Sequence, residues 1–283
     1  MKQHNVVIVH GVRNWRPGVE PAKAAAELAE RWAVPLAAGY RAAGLGHVTA
    51  PRIQAAYYAD LINDDEAQSV VDDIEDLAQG EQELLLSWLH SLGLPQESPE
   101  GQSWATMPPR HALSWFAQRS GTSARILARV AIALLPEVYS YLASPARREK
   151  ARRAVAEVID DSGAKVVVAH SLGSIVTYEA LHAHPLPQVE LLVTLGSPLG
   201  LPGGVFEMLD PAPTGGRGCR PAGLPRWVNI ADRGDLVAIP RRLGNRFDVD
   251  DHYEDHIAAV DFHTLDSYLT CGYVATAVAP YLS

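Results

Sequence analysis

In the run Val166-Val167-Val168-Ala169-His170-Ser171-Leu172-Gly173-Ser174, one serine stands where a β-branched strand stops and a helix-like segment begins. A serine that attacks a carbonyl carbon needs its Oγ exposed on a sharp strand-to-helix turn. The residues two before and two after it must be small, because the turn brings the strand and helix backbones together. Ala169 and Gly173 meet that need, with Ala169 in the first small position of the G-x-S-x-G pattern. The turn also aims the amide N–H of Leu172, at the positive end of the following helix, toward an oxygen that gains negative charge. The competing reading is an ordinary strand–helix junction.

Such a serine needs a base, a group that orients the base, and a second donor for the oxyanion. Downstream, Trp227-Val228-Asn229-Ile230-Ala231-Asp232 runs from a strand into a turn that carries a further acid, Asp235. Asp235, followed by Leu236-Val237-Ala238-Ile239-Pro240, stands where a strand-end acid points toward the site. Asp232 is its rival, being nearer the strand end, and either Asp beside Gly also forms turns unaided. Of the eleven histidines, His252, His256 and His263 follow these acids. His263 comes after the last predicted strand and before the last predicted helix. His252 and His256 lie among Asp250, Asp251, Glu254 and Asp255, where a metal site is the rival of a solvated acidic loop. The loop is the expected reading. His10-Gly11-Val12, after the first strand, offers the second donor: Gly11 lets the backbone turn and Val12 presents its N–H. His10 itself is expected to be structural.

The elements that must position these groups follow from periodicity. Short apolar or β-branched runs predict strands at 6–9, 52–58, 166–169, 190–195, 226–230 and 257–260. Helices are predicted at 21–31, 145–162, 174–182 and 265–279. Strands alternating with helices imply an α/β domain over 1–283, with a mostly parallel sheet covered on both faces. The rhythm breaks over 61–144, where no strand is expected. That interval reads as a helical insertion: acidic helix-like sequence at 64–79, a helix at 81–92, a Pro/Gly/Ser loop at 93–109 and an apolar helix at 123–142. The apolar helix, with Ile126, Leu127, Val130, Ile132, Leu134 and Leu135, either packs as core or covers an apolar cleft as a lid. Residues 211–225, rich in Gly and Pro, read as a surface loop.

Composition narrows the classes. A chain of 283 residues fits one large domain with an insertion. A net charge of -9 leaves no dominant basic face to neutralise phosphates, so no nucleic-acid partner is expected. Arg147-Arg148 and Arg152-Arg153 are interleaved with Glu and Ala at helical spacing and read as a solvated helix face. Cys219 and Cys271 have no CxxC spacing, and no disulfide framework is expected. Residues 1–5 run straight into the first strand, so no secretory leader is expected, and the longest apolar stretch, 130–135, falls short of a membrane span. A cytoplasmic protein without a transmembrane segment is the expectation.

These motifs, in this order, resemble the lipase/esterase-like branch of the α/β-hydrolase superfamily. Val6-Val7-Ile8-Val9-His10-Gly11 is similar to its oxyanion-loop strand and Ala169-His170-Ser171-Leu172-Gly173 to its nucleophile elbow. Thr194-Leu195-Gly196-Ser197-Pro198-Leu199-Gly200 resembles the segment that follows the nucleophile helix in many bacterial lipases. The resemblance covers nearly all of the chain outside 61–144. It implies an α/β-hydrolase fold and a carboxylic-ester hydrolase with Ser171 as nucleophile, Asp235 as acid and His263 as base. It also implies Val12 and Leu172 as oxyanion donors and no metal or organic cofactor; the apolar helix of the insertion, read as a lid, suggests a small-molecule substrate with an apolar acyl group. The same acyl-enzyme serves an acyltransferase, a thioesterase or a cyclase. A non-catalytic binding module on this fold is the alternative from another class, and the presence of Ser, Asp and His together speaks against it.

Overall fold

Val6-Val7-Ile8-Val9, Val166-Val167-Val168-Ala169 and Leu191-Leu192-Val193 are fully or almost fully buried, as β-branched and aliphatic runs are at the centre of a parallel sheet. The computed structural model describes residues 5–63, 72–98, 101–258 and 263–282. The strands β1 (Asn5–Val9), β2 (Arg52–Ala56), β3 (Val166–His170), β4 (Leu191–Leu195), β5 (Arg226–Asp232) and β6 (Asp251–Asp255) form one sheet in the order β2-β1-β3-β4-β5-β6. Every pairing is parallel.

Alternate residues of a strand face opposite sides, and the sheet is covered on both. Val6 and Ile8 face a layer of α1 (Pro21–Ala42), α8 (Leu265–Thr270) and α9 (Tyr273–Val278). Val7 and Val9 face the other core, which contains α6 (Pro145–Ser162), α7 (Leu172–Ala183) and the insertion. Helix α1 continues well past residue 31, because Leu28, Trp32, Leu36 and Tyr40 keep one face buried at four-residue spacing. The single helix expected over 265–279 is divided at Gly272, which takes φ +89 where the backbone of Ala43 leaves little room for a Cβ.

The sixth strand differs from the expected 257–260. It is β6, in the acidic stretch read as a solvated loop; Ile257 and Ala258 lie outside any strand, and 259–260 fall outside the described residues. The physical reason is its place at the edge. An edge strand pairs on one side only and carries charge on the other, so apolar content does not identify it. Asp251 forms an ion pair with Arg226, and Tyr253 stacks on Tyr273.

Helix α2 (Ala59–Ile62) leads into the insertion, which contains α3 (Gln79–Leu92), α4 (Pro109–Ser120) and α5 (Ala124–Ala143). Of the helix expected at 64–79, residues 64–71 lie outside the described residues, and the remainder holds only a single turn, Ile74–Asp76. Helix α4 has no counterpart among the predicted elements, although Pro109 at its start and Gly121 at φ +68 after its end are ordinary helix signals. On α5, Leu127, Ala131, Leu134, Leu135 and Val138 are buried in the core that reaches Val7 and Val9. Among the described residues α5 is the one helix long and apolar enough to cross a membrane; here it packs against α3, α4 and α6.

Arg148 and Arg152 of α6 turn inward rather than lying on the solvated face expected of them, while Arg153 is exposed as expected. Arg148 pairs with the fully buried Glu179 of α7, which also accepts hydrogen bonds from the Tyr141 hydroxyl (2.6 Å) and the Asp210 N–H (3.0 Å). Arg152 bridges Glu149 and Asp210. A carboxylate buried on α7 needs a cation beside it, and α6 supplies that cation from its inward side.

Candidate active site

Parallel register carries Val9 to Ala169, Ala169 to Thr194 and Leu195 to Ile230, so β1, β3, β4 and β5 end together. The loops leaving those ends are neighbours in space. Ser171 sits in the loop between β3 and α7, at φ +53 and ψ -126. Non-glycine residues rarely adopt that region, and it is characteristic of strained, over-determined sites. Three bonds hold its backbone: the Ser171 N–H donates to Leu195 O (3.0 Å), and Ser171 O accepts both the Ser174 N–H (2.9 Å) and the Ser174 hydroxyl (2.6 Å). Gly173 is required on steric grounds. A Cβ there would lie 2.3 Å from His10 O and 2.7 Å from Val9 O, both backbone atoms. Ala169, inside β3, is fully buried between its strand partners.

The structure brings Ser171, His263 and Asp235 into one hydrogen-bonded chain. His263 Nε2 lies 2.8 Å from Ser171 Oγ, and His263 Nδ1 lies 2.8 Å from Asp235 Oδ2. A carboxylate can only accept, so Nδ1 carries the ring proton and Nε2 is free to accept from the serine hydroxyl. Asp235 is clamped further. Its Oδ1 accepts the Val237 N–H (2.8 Å) and its Oδ2 accepts the Tyr268 hydroxyl (2.7 Å). Burial opposes its ionisation, but the neighbouring His263 and these hydrogen bonds outweigh burial and hold the carboxyl below its ordinary value. Gly196, at φ +52, makes room for the pair: a Cβ there would lie 2.6 Å from Asp235 Oδ2 and 3.1 Å from His263 Nδ1.

Asp232 does other work. Its carboxylate accepts the backbone N–H groups of Gly234 (2.6 Å), Ile257 (2.9 Å) and Ala258 (2.7 Å), which fixes the turn after β5 and the exit from β6. Tyr268 links the two acids, because its hydroxyl accepts the Asp232 N–H (2.9 Å) while donating to Asp235.

The oxyanion candidates flank the serine. Leu172 opens α7, so its N–H lies in the first turn, where helical donors lack intrahelical acceptors. Gly11 runs against the nucleophile: a Cβ on it would come within 2.7 Å of Ser171 Cβ. Val12 is the next residue, and among the described residues no acceptor takes its N–H. Asn14 Nδ2 donates to both Gly11 O and Val12 O at 3.0 Å, which fixes the carbonyls of this loop. The Ser171 residue is fully buried, whereas the reasoning from the turn expected an exposed Oγ; the His263 side chain retains 21 % exposure. Close neighbours account for this: a Cβ on Gly11 would lie 2.7 Å from Ser171 Cβ, and the Ser171 N–H donates to Leu195 O.

The remaining histidines fall into structural places. His10 stacks on Tyr58, accepts its N–H at Nε2 (3.2 Å) and places Nδ1 2.7 Å from Gly11 O, the pattern of a neutral ring with its proton on Nδ1. Burial pushes its pKa down to about 4. His170 is buried 4.8 Å from the His263 ring, centroid to centroid, and burial, then the nearness of His263, pushes its pKa well below the ordinary value. Neutral, it forms a wall beside the base. His252 lies on β6 against the Asn229 side chain (3.0 Å), and His256 is exposed after that strand. Among the described residues no three of His, Cys, Asp and Glu stand together as metal ligands.

Three contributions of the insertion and its surroundings escaped the sequence reading. Glu137 of α5 accepts the Arg13 N–H (2.7 Å) in the loop after β1. Trp88 Nε1 of α3 donates to Leu236 O (2.7 Å), beside Asp235, and the Ser87 hydroxyl donates to Gly203 O (2.5 Å) after β4. The assembled groups can take a proton from the serine hydroxyl and hold the resulting imidazolium against Asp235. No family model, curated protein or solved structure matches this chain.

Proposed function

We propose that this chain is a serine hydrolase of the α/β-hydrolase superfamily that cleaves carboxylic esters through an acyl-enzyme on Ser171. The observation that carries the reading is the unbroken Ser171–His263–Asp235 hydrogen-bond chain, built on a serine at φ +53. In the first half-reaction Ser171 Oγ attacks the ester carbonyl while its proton passes to His263 Nε2. Asp235 stays ionised, holds Nδ1–H and stabilises the imidazolium. The N–H groups of Val12 and Leu172 receive the charge that develops on the carbonyl oxygen. His263 then protonates the leaving alkoxide, and the alcohol departs. In the second half His263 takes a proton from water, the hydroxide attacks the acyl-enzyme, and the returned proton restores Ser171 as the acid leaves. Every proton moves between groups named here.

The substrate class proposed is a small ester with an apolar acyl group, and the site of action is the cytoplasm. A fluorophosphonate probe should label the folded protein once, at Ser171 by peptide mapping, and the Ser171→Ala variant should remain unlabelled. A panel of p-nitrophenyl esters from acetate to palmitate, with thioester and amide controls, then reads the acyl class. A folded wild type that neither labels nor turns over any ester overturns the proposal.

A further inference from the structure

We propose that Glu137, on insertion helix α5, is the positioning residue that sets the oxyanion loop against Ser171. The inference rests on the hydrolase reading above. Its basis is two consecutive peptide groups held at their polar atoms. Gly11 O accepts from Asn14 Nδ2, and the Val12 N–H of the same trans peptide therefore points the opposite way. The next peptide is held at both ends: Val12 O by Asn14 Nδ2 (3.0 Å) and the Arg13 N–H by Glu137 Oε1 (2.7 Å). Arg13 sits at φ +64, a conformation that a side-chain-bearing residue leaves unless something retains it. Asn14 is only two residues from Val12 and moves with the loop. Glu137 is 124 residues away on a packed helix, so it is the fixed reference.

Glu137 is 8 % exposed, and the buried carboxyl is met by the Arg13 N–H, with the Asn63 side chain and the Arg13 charge also favouring it. Burial raises its pKa to about 7, with the Arg13 N–H, the Asn63 side chain and the Arg13 charge acting in the opposite direction. Near neutrality part of the population is uncharged, and a carboxyl oxygen accepts in either form. The loop therefore needs the acceptor, not the charge.

Three variants separate these requirements. Glu137→Leu keeps the volume and removes the acceptor, Glu137→Asp keeps the carboxyl but withdraws it by one methylene, and Glu137→Gln keeps the acceptor in place. Each is measured for thermal unfolding, for kcat and KM on a p-nitrophenyl ester, and for the rate of fluorophosphonate labelling. Glu137→Leu and Glu137→Asp should lower kcat and the labelling rate together by roughly 10- to 100-fold, somewhat less than the loss of an oxyanion donor outright. KM should stay within about twofold, and Glu137→Gln should return kcat to within about threefold of wild type. A structural role alone would lower the melting temperature without this split between kcat and KM. A folded Glu137→Leu protein with wild-type kcat overturns the proposal, as does a Glu137→Gln protein as impaired as Glu137→Leu. If Glu137→Leu does not fold, Glu137→Asp gives the same two readings. A wild type that does not label overturns the hydrolase reading itself, a result distinct from a labelled wild type whose rate is indifferent to residue 137.

Discussion

The turn at Ser171 and the insertion that includes α3 and α5 shape one site by opposite means. At the turn, geometry is imposed by backbone against backbone: a Cβ at position 173 would meet His10 O at only 2.3 Å. The insertion works through single side chains that reach across the fold. Glu137 ties the loop after β1, Ser87 the loop after β4, and Trp88 the loop after β5. A backbone clash admits no half measure, whereas one hydrogen bond contributes about 1 kcal/mol and can be lost singly. The first region is thus close to all-or-none, and the second is adjustable. The insertion is also fastened at three separate places to loops that leave the strand ends.

The largest effects should come from the chemistry that the turn exposes. Ser171→Ala should leave the fold intact and reduce ester turnover by roughly 10⁴- to 10⁶-fold. Asp235→Asn should keep the geometry but invert the hydrogen-bonding demand on His263, with a loss on the order of 10⁴-fold in kcat. Asp232→Asn makes the sharper comparison. That residue holds three backbone N–H groups, so its substitution should lower the melting temperature more than Asp235→Asn while sparing most of the activity. Kinetics and calorimetry on the pair decide it; a greater kinetic loss at Asp232 would exchange their roles.

Next come the two small positions of the turn, which the sequence pattern treats as equivalent. Gly173→Ala should cost about 3 kcal/mol or more, because the only relief is to move backbone. Ala169→Gly should cost about 1 kcal/mol or less, since it loses a methyl and some chain stiffness from a buried strand. Equal melting temperatures for the two variants would remove the steric account of the turn.

The same contrast explains what could be read from the residues alone. Ser171, Gly173 and the parallel sheet were legible because they depend on neighbours within a few residues: a β-branched run, small flanks, then helix formers. Asp235 and His263 were legible as positions after strands, and the structure sets them in contact. The edge strand β6 was misplaced because its Asp and Glu residues carry charge at the sheet edge, so hydropathy pointed to Ile257 instead. Arg148 looked solvated because its buried partner, Glu179, lies 31 residues away. Glu137 carried no signal at all. Its partner is a backbone N–H in a loop, which any residue type supplies, and a lone acid in an apolar helix reads as a solvent-facing position. Gly196 stands inside the Thr194–Gly200 segment, and its close approach to the acid–base pair is a contact between residues far apart in the chain.

An intermediate effect tests the adjustable region through pH. The Glu137 pKa lies at about 7 in the folded chain, raised chiefly by burial from 4.5. The folded state therefore retains this proton to higher pH than the unfolded chain. Its contribution to stability is fully present below about pH 4.5 and is lost as pH rises to about 7, by an amount on the order of 2–3 kcal/mol. Glu137→Gln cannot titrate. Melting temperatures of wild type and Glu137→Gln, compared between pH 5 and pH 7.5, should diverge in favour of the variant as pH rises. Parallel curves would mean that the carboxyl is not held in an apolar setting, and the clamp would lose its chemical basis.

The smallest effect on activity should be at Trp88. Its indole N–H donates to Leu236 O at 2.7 Å, one residue from Asp235, while its ring is buried at 1 % exposure in the shared core. Trp88→Phe removes the donor and keeps a six-membered ring, with the small cavity left by the missing pyrrole atoms adding to the cost. A buried carbonyl left without its donor costs about 1–3 kcal/mol, and the lower end is expected because the loop carbonyl can turn toward another donor. Activity should change by less than about threefold, since Asp235 keeps its own bonds to His263, Tyr268 and Val237. Unfolding and ester kinetics on one preparation read both quantities. If kcat falls tenfold while stability is unchanged, the strap from α3 acts on the acid itself, and the insertion is then as much a part of the catalytic geometry as the turn at Ser171.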